Sequence, residues 1–147
     1  MSAAPVRKIP GELPVAFRYT PGVANTMFFE ALRDRGVLLG SRCTECGVTY
    51  LPCRLFCERC FAELAADVEC GPGGTLESWT IGHTGIDDEA LDPPVMLGLV
   101  RLDGADTMFV HRLVDVERPS VGMRVEVHLA GELSGSINDI KGFTAIR

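Results

Sequence analysis

The chain has no apolar run that approaches the roughly 20 residues a membrane helix requires. Its longest nearly apolar stretch, Pro93 to Val100, is eight residues. Met1 to Pro10 carries Arg7 and Lys8 with no apolar segment behind them, which argues against a secretory leader and predicts a soluble, cytoplasmic protein. There is one tryptophan, and lysine occurs in the C-terminal half only at Lys141. The scarcity of cations there speaks against a nucleic-acid-binding surface, which rests on clustered Lys and Arg. Catalytic signatures are also missing. We find no G-x-S-x-G, no phosphate-cradling glycine loop and no paired carboxylates on a recognisable element. His83, His111 and His128 all fall in alternating β-like runs, where a surface or hydrogen-bonded core role is the ordinary one. No residue is therefore assigned as catalytic.

What is present suffices for a folded chain of 147 residues, with 46% hydrophobic and 23% charged residues and a net charge of −6. The charge is unevenly spread. Residues 1–70 balance eight Lys/Arg against eight Asp/Glu, whereas residues 71–147 set six against twelve and carry the whole deficit. Six cysteines in a reducing compartment read as metal ligands before disulfides. Four of them form two CxxC pairs, Cys43/Cys46 and Cys57/Cys60, separated by ten residues. Each pair puts two thiolates on one turn, and together they complete the tetrahedral shell that Zn²⁺ prefers; iron in a rubredoxin-like site uses the same set. A shell of four thiolates leaves no position for water, so the metal is expected to be structural. Cys53, four residues before Cys57, is a conceivable substitute ligand but reads as a small apolar or half-exposed thiol, and Cys70 as packing at a module boundary.

The organisation follows from these signals. Residues 1–21, rich in proline, predict an extended arm. Asn25 or Thr26 is the expected cap of a helix from about Thr26 to Arg35, with an apolar face of Met27, Phe28, Ala31 and Leu32 and Gly36 as its stop; packing is its expected role, and docking of a partner through an exposed Phe29 the alternative. Residues 37–41 and 49–51 predict two strands alternating with the CxxC turns, the order of a zinc ribbon. Helix and ribbon would occupy residues 22–70. Beyond Gly74, five β-rich runs at 75–83, 95–102, 107–114, 124–129 and 143–146 suit a small closed barrel over residues 71–147, with 84–93 as a solvated acidic loop.

Taken in order, Phe28-Phe29-Glu30-Ala31-Leu32, the segment Leu39 to Gly47 around the first CxxC, and Gly74 to Thr80 with Trp79 resemble a family of zinc-ribbon plus OB-fold proteins. That family was once grouped as a domain of unknown function and is described as acyl-CoA-associated. Pro94 to Leu102 and Val121 to Val127 extend the resemblance, which covers about residues 22–147; Cys53 departs from it where a proline is expected. It implies a mostly β fold with an N-terminal helix, a rubredoxin-like zinc ribbon and a five-stranded OB-fold barrel. It also implies an accessory subunit in a hetero-oligomer with a thiolase-fold enzyme, either a thiolase or thiolase-like aldolase or a hydroxymethylglutaryl-CoA synthase, and leaves contact with acyl-CoA open. A chain this short cannot itself be a thiolase. Should CoA be contacted, Arg33, Arg35, Arg42, Arg54 and Arg59 are the candidate phosphate partners, with a solvated surface as their ordinary role; Trp79, Met108 and Phe109 could line an apolar groove, with core packing as the ordinary use of each. Two rival readings remain: a single-stranded nucleic-acid module, which zinc ribbons joined to OB-folds also form, and a small acyl-CoA hydrolase or hydratase using one of the histidines.

Overall fold

The computed structural model describes residue 11, residues 19–85 and residues 88–146. The expected N-terminal arm falls almost wholly outside them, as does Asp87 of the acidic loop. The chain runs α1 (Gly22–Arg35), β1 (Leu38–Arg42), β2 (Thr49–Tyr50), β3 (Ala65–Cys70), β4 (Gly73–Thr84), β5 (Ala90–Leu102), β6 (Phe109–Arg112), β7 (Arg124–Leu129) and β8 (Ile140–Ala145). Among the described residues, no helix is long and apolar enough to cross a membrane.

Helix α1 starts four residues before the expected Thr26. Neither Asn25 nor Thr26 caps it: Pro21 holds the cap position with φ −67°, and Thr26 Oγ1 instead donates to the Gly22 carbonyl at 2.8 Å. Proline has the helical φ built in, so the chain enters the first turn without a side-chain cap. At the other end Gly36 adopts φ 66° and returns its N–H to the Leu32 carbonyl at 2.9 Å, as the sequence predicts. The buried stripe is Phe28, Ala31 and Leu32, spaced i, i+3, i+4; Met27 faces out. Phe29 is not exposed. It is half-buried, edge-on to Phe28 with ring centroids 5.4 Å apart, and packs against the core.

Strand β1 is central to a three-stranded antiparallel sheet, with β2 on one side and β3 on the other. Gly40 sits where the three meet. A Cβ there would lie 2.8 Å from the Tyr50 carbonyl oxygen and 3.0 Å from Cys70 Sγ, so only glycine lets the strands close up. Strand β2 is two residues long and is held on its far side by the barrel. Thr49 N–H donates to Asp106 Oδ2 at 2.8 Å, Asp106 N–H to the Thr49 carbonyl at 2.9 Å, and Leu51 N–H to Thr107 Oγ1 at 2.8 Å.

The remaining strands form one five-stranded antiparallel sheet in the order β6-β5-β4-β7-β8. It closes where Leu113 pairs in parallel with Phe143 and Val114 N–H donates to the Phe143 carbonyl at 2.8 Å, the joining of third and fifth barrel strands that defines an OB-fold. All five expected strands are present, and the alternation read in 125–129 is realised, with Val125 buried and Glu126 and His128 outside. Strand β5 begins at Ala90, so the end of the expected acidic loop is paired backbone, with Ala90 opposite Thr84. A single apolar cluster joins Phe28 and Leu32 of the helix, Leu38 and Leu39 of β1, and Leu76, Val100, Leu102, Val125 and Phe143 of the barrel.

The segment before β8 is braced by one buried carboxylate. Asp139 Oδ2 accepts the backbone N–H groups of Ser134, Gly135 and Ser136 at 2.8, 2.7 and 3.0 Å, and Oδ1 accepts the Ser134 hydroxyl at 2.8 Å. Those donors, Ser136 N–H foremost, hold the Asp139 carboxyl below its ordinary range. A carboxyl depressed in the folded state contributes stability in full above its unfolded pKa of about 3.9 and loses it as pH falls through the lower folded value. The urea midpoint of the wild type should therefore drop on acidification below about pH 4. Asp139→Asn, which removes the titrating group, should be less stable at pH 7 and show a flatter acid limb; equal acid limbs would contradict the assignment.

Candidate metal centre

The two CxxC turns are built alike. In the first, Cys43 N–H donates to the Val48 carbonyl at 2.8 Å and Gly47 N–H to the Cys43 carbonyl at 2.9 Å; in the second, Cys57 N–H donates to Ala62 and Phe61 N–H to Cys57, both at 2.9 Å. Each loop thus turns its two thiols inward, and the fifth residue of each takes a left-handed conformation. That residue is Gly47 with φ 75° in the first turn and Phe61 with φ 60° in the second. A bulky side chain there is disfavoured by roughly 1–2 kcal/mol, and Phe61 is 80% exposed, so packing does not repay it.

The Sγ atoms of Cys43, Cys46, Cys57 and Cys60 all lie within 4.8 Å of one another, with 3.5 Å between Cys43 and Cys60 and 3.4 Å between Cys46 and Cys57. Zinc–sulfur bonds of about 2.3 Å in a tetrahedron put sulfurs about 3.8 Å apart, so the four thiols fit one Zn²⁺. Sequence reasoning missed a fifth participant. Tyr50, fully buried on β2, places its hydroxyl 3.3 Å from Cys57 Sγ. This bond holds the Cys57 thiol down to about 6 and pushes Tyr50 up to about 12. The contact favours the thiolate a metal needs and fixes the sulfur's direction. A tyrosine on an apolar strand between two CxxC pairs was the available signal, since a buried phenol requires a polar partner.

The other expected residues lie elsewhere. Cys53 is outside the thiol cluster, buried in the main core, with Sγ 3.1 Å from the Ala24 carbonyl, so it is neither a substitute ligand nor half-exposed; it ties the ribbon to the start of α1. Cys70 packs beside Gly40, and burial pushes both thiols up, away from nucleophilic character. Three of the five arginines are engaged on the surface, Arg33 with Asp34, Arg35 with Glu69 and Arg54 with Glu58, the last also over the Tyr50 ring at 5.0 Å. Phe109 is core, whereas Trp79 and Met108 are partly exposed. His83 and His128 lie at the surface, but His111 is not a satisfied core residue: its Nδ1 is buried without a hydrogen-bond partner.

Comparison with known proteins agrees with this architecture. Two family models drawn from ChsH2 match in tandem, its rubredoxin-like zinc ribbon domain over residues 31–65 and its C-terminal OB-fold domain over residues 67–130. A DUF35 domain-containing scaffold protein of Methanocaldococcus jannaschii is 24% identical over 98 residues, 65% of this chain and 69% of that protein. Among solved structures, a Sulfolobus solfataricus protein of unknown function from the DUF35 family shares the fold with a TM-score of 0.63 at 24% identity, covering 84% of each chain. A chain of the Ltp2–ChsH2(DUF35) aldolase superposes with a TM-score of 0.61 at 25% identity, covering 82% of this chain and 93% of that one. With a zinc ribbon and an OB-fold matched back to back on the elements described above, the chain belongs to the ChsH2 family of zinc-ribbon plus OB-fold proteins.

Proposed function

We propose that this chain is a non-catalytic accessory subunit that binds a thiolase-fold enzyme, a thiolase or thiolase-like aldolase, acting on acyl-CoA thioesters in the cytoplasm. In this reading Cys43, Cys46, Cys57 and Cys60 hold one structural zinc, and the metal supplies rigidity. The observation that carries the proposal is the tandem match to both domains of ChsH2, a protein that also gives its name to a two-component aldolase. The surface supports it. Val23, Leu55 and Phe56 line an open groove between the start of α1 and the second CxxC turn, and Phe56 is 60% exposed. Large apolar side chains grouped at the surface are characteristic of protein interfaces.

Co-expression with a thiolase-fold acyl-CoA enzyme from the same organism tests the proposal. The two chains should co-elute as one species on size exclusion, and the purified subunit alone should not turn over acyl-CoA thioesters. Separate elution, or turnover by the isolated chain, would refute the subunit role.

A further inference from the structure

The barrel half is acidic, yet it gathers two unpaired cations at one corner. Arg101 is engaged by Glu77 and Arg124 by Asp103. Arg112 at the end of β6 and Lys141 near the start of β8 have no carboxylate partner among the described residues. Instead they line a cavity of about 350 Å³ together with His111, Ile137, Asn138 and Ile140. The closure of the barrel puts them there. Leu113 pairs in parallel with Phe143, which brings the strand ends carrying His111 and Lys141 to one side of the same seam, where both line the cavity. Gly142 permits the approach: a Cβ on it would fall 2.6 Å from the Arg112 carbonyl oxygen.

The neighbouring acid does not neutralise this corner. Asp139 directs its carboxylate to the Ser134–Ser136 turn. The His111 ring is stacked on Phe109 and edge-on to Phe143, both at 6.4 Å, which fixes it at the mouth of the barrel interior. The shielded Nδ1 of His111 has no hydrogen-bond partner among the described residues, an unfavourable and rare state in a folded chain. A guanidinium, an ammonium, an amide and an imidazole around one polar cavity form the donor set that receives a phosphate group.

We propose that His111, Arg112, Asn138 and Lys141 form an oxyanion site on the OB-fold barrel that takes a phosphate group, either free or carried on a small molecule. The site is remote in sequence from the cysteine turns and does not rest on the subunit role. Burial, with a smaller effect from Arg112, holds the His111 imidazole below its ordinary value and so favours its neutral form. A bound anion would favour the imidazolium and move that titration upward.

NMR of the histidine side chains in the zinc-loaded full chain gives the test, with inorganic phosphate, ribose 5-phosphate and succinate as probes. His111 should show a saturable shift and a raised titration midpoint with phosphate or the ester, while exposed His83 and His128 stay unmoved. Tighter binding of the ester identifies a phosphorylated small molecule, and tighter binding of inorganic phosphate a free anion. Arg112→Gln and Lys141→Gln should each weaken binding about tenfold, and Arg118→Gln should not. The proposal is overturned if wild-type His111 shows no saturable response at millimolar phosphate, if succinate binds as tightly, or if Arg118→Gln weakens binding as much as the other two.

Discussion

Stripping the metal with a chelator, or replacing Cys46 with serine, should open residues 43–64 to protease while leaving the barrel folded. Among the described residues, the apolar cluster of the cysteine-bearing loops buries Cys43, Tyr50, Cys57 and Leu64, two of them metal-site cysteines, with Cys46, Val48 and Ala62 packed partly buried against them. Without the ion little remains to oppose the entropy of these loops. Structural zinc contributes on the order of 10–16 kcal/mol in finger peptides, as much as the whole stability of a typical domain. Helix α1, β1 and the barrel share a larger cluster that contains none of the four metal-site cysteines and takes only Leu51 and Cys53 from the stretch 43–64. Cleavage should thus fall between 43 and 64, with the emission of Trp79 on β4 unchanged. Wild-type protease resistance after metal removal would show that the loops stand without zinc.

The second large effect concerns Phe56 and Phe61. In the proposed complex, Phe56→Asp and Phe61→Asp should each weaken association by about 2 kcal/mol or more, roughly thirtyfold, because buried aromatic anchors dominate interface energies. The subunit's own fold should be unaffected, since both side chains stand in solvent. Phe61→Gly gives an independent measure. It relieves the left-handed φ of 60° and should stabilise the isolated chain by up to about 1 kcal/mol, read as a higher thermal midpoint, while still weakening the complex. A residue that strains its own turn yet strengthens an assembly would be retained for the assembly. If Phe61→Gly binds the partner as well as wild type, Phe61 has no such role.

The parts legible in the sequence are those whose cause is local. Two CxxC turns state their ligands by spacing alone, and Gly36 ends its helix because a left-handed residue is needed there. The barrel strands announce themselves through alternation, as in Val125 to Leu129. What escaped depends on partners distant in the chain. Strand β3, Ala-Ala-Asp-Val-Glu-Cys, has weak β character and exists because β1 lies beside it in register from Leu38↔Cys70 to Arg42↔Ala65. Phe29 looked free because the 134–136 turn that covers this side of the helix comes a hundred residues later; Gly135 would set a Cβ 3.2 Å from the Phe29 carbonyl oxygen. The His111 corner could not be read at all, since it is created only when β6 meets β8.

The single core shared by helix, β1 and barrel also sets limits on recombining this protein with its relatives. A crossover at residue 70 would separate Leu38 and Leu39 from Leu76, Val100 and Leu102, leaving each half of a chimaera with a foreign surface to fill. The exchangeable cassette is smaller, the stretch between Cys43 and Leu64, which has a cluster of its own and lends only Leu51 and Cys53 to the main core. Even that graft would have to bring a residue able to replace the Thr49 and Leu51 bonds to Asp106 and Thr107. Swapping partner preference between relatives should accordingly succeed by transplanting the cysteine-bearing loops into a resident helix and barrel, and fail when the chain is cut where its two family matches meet.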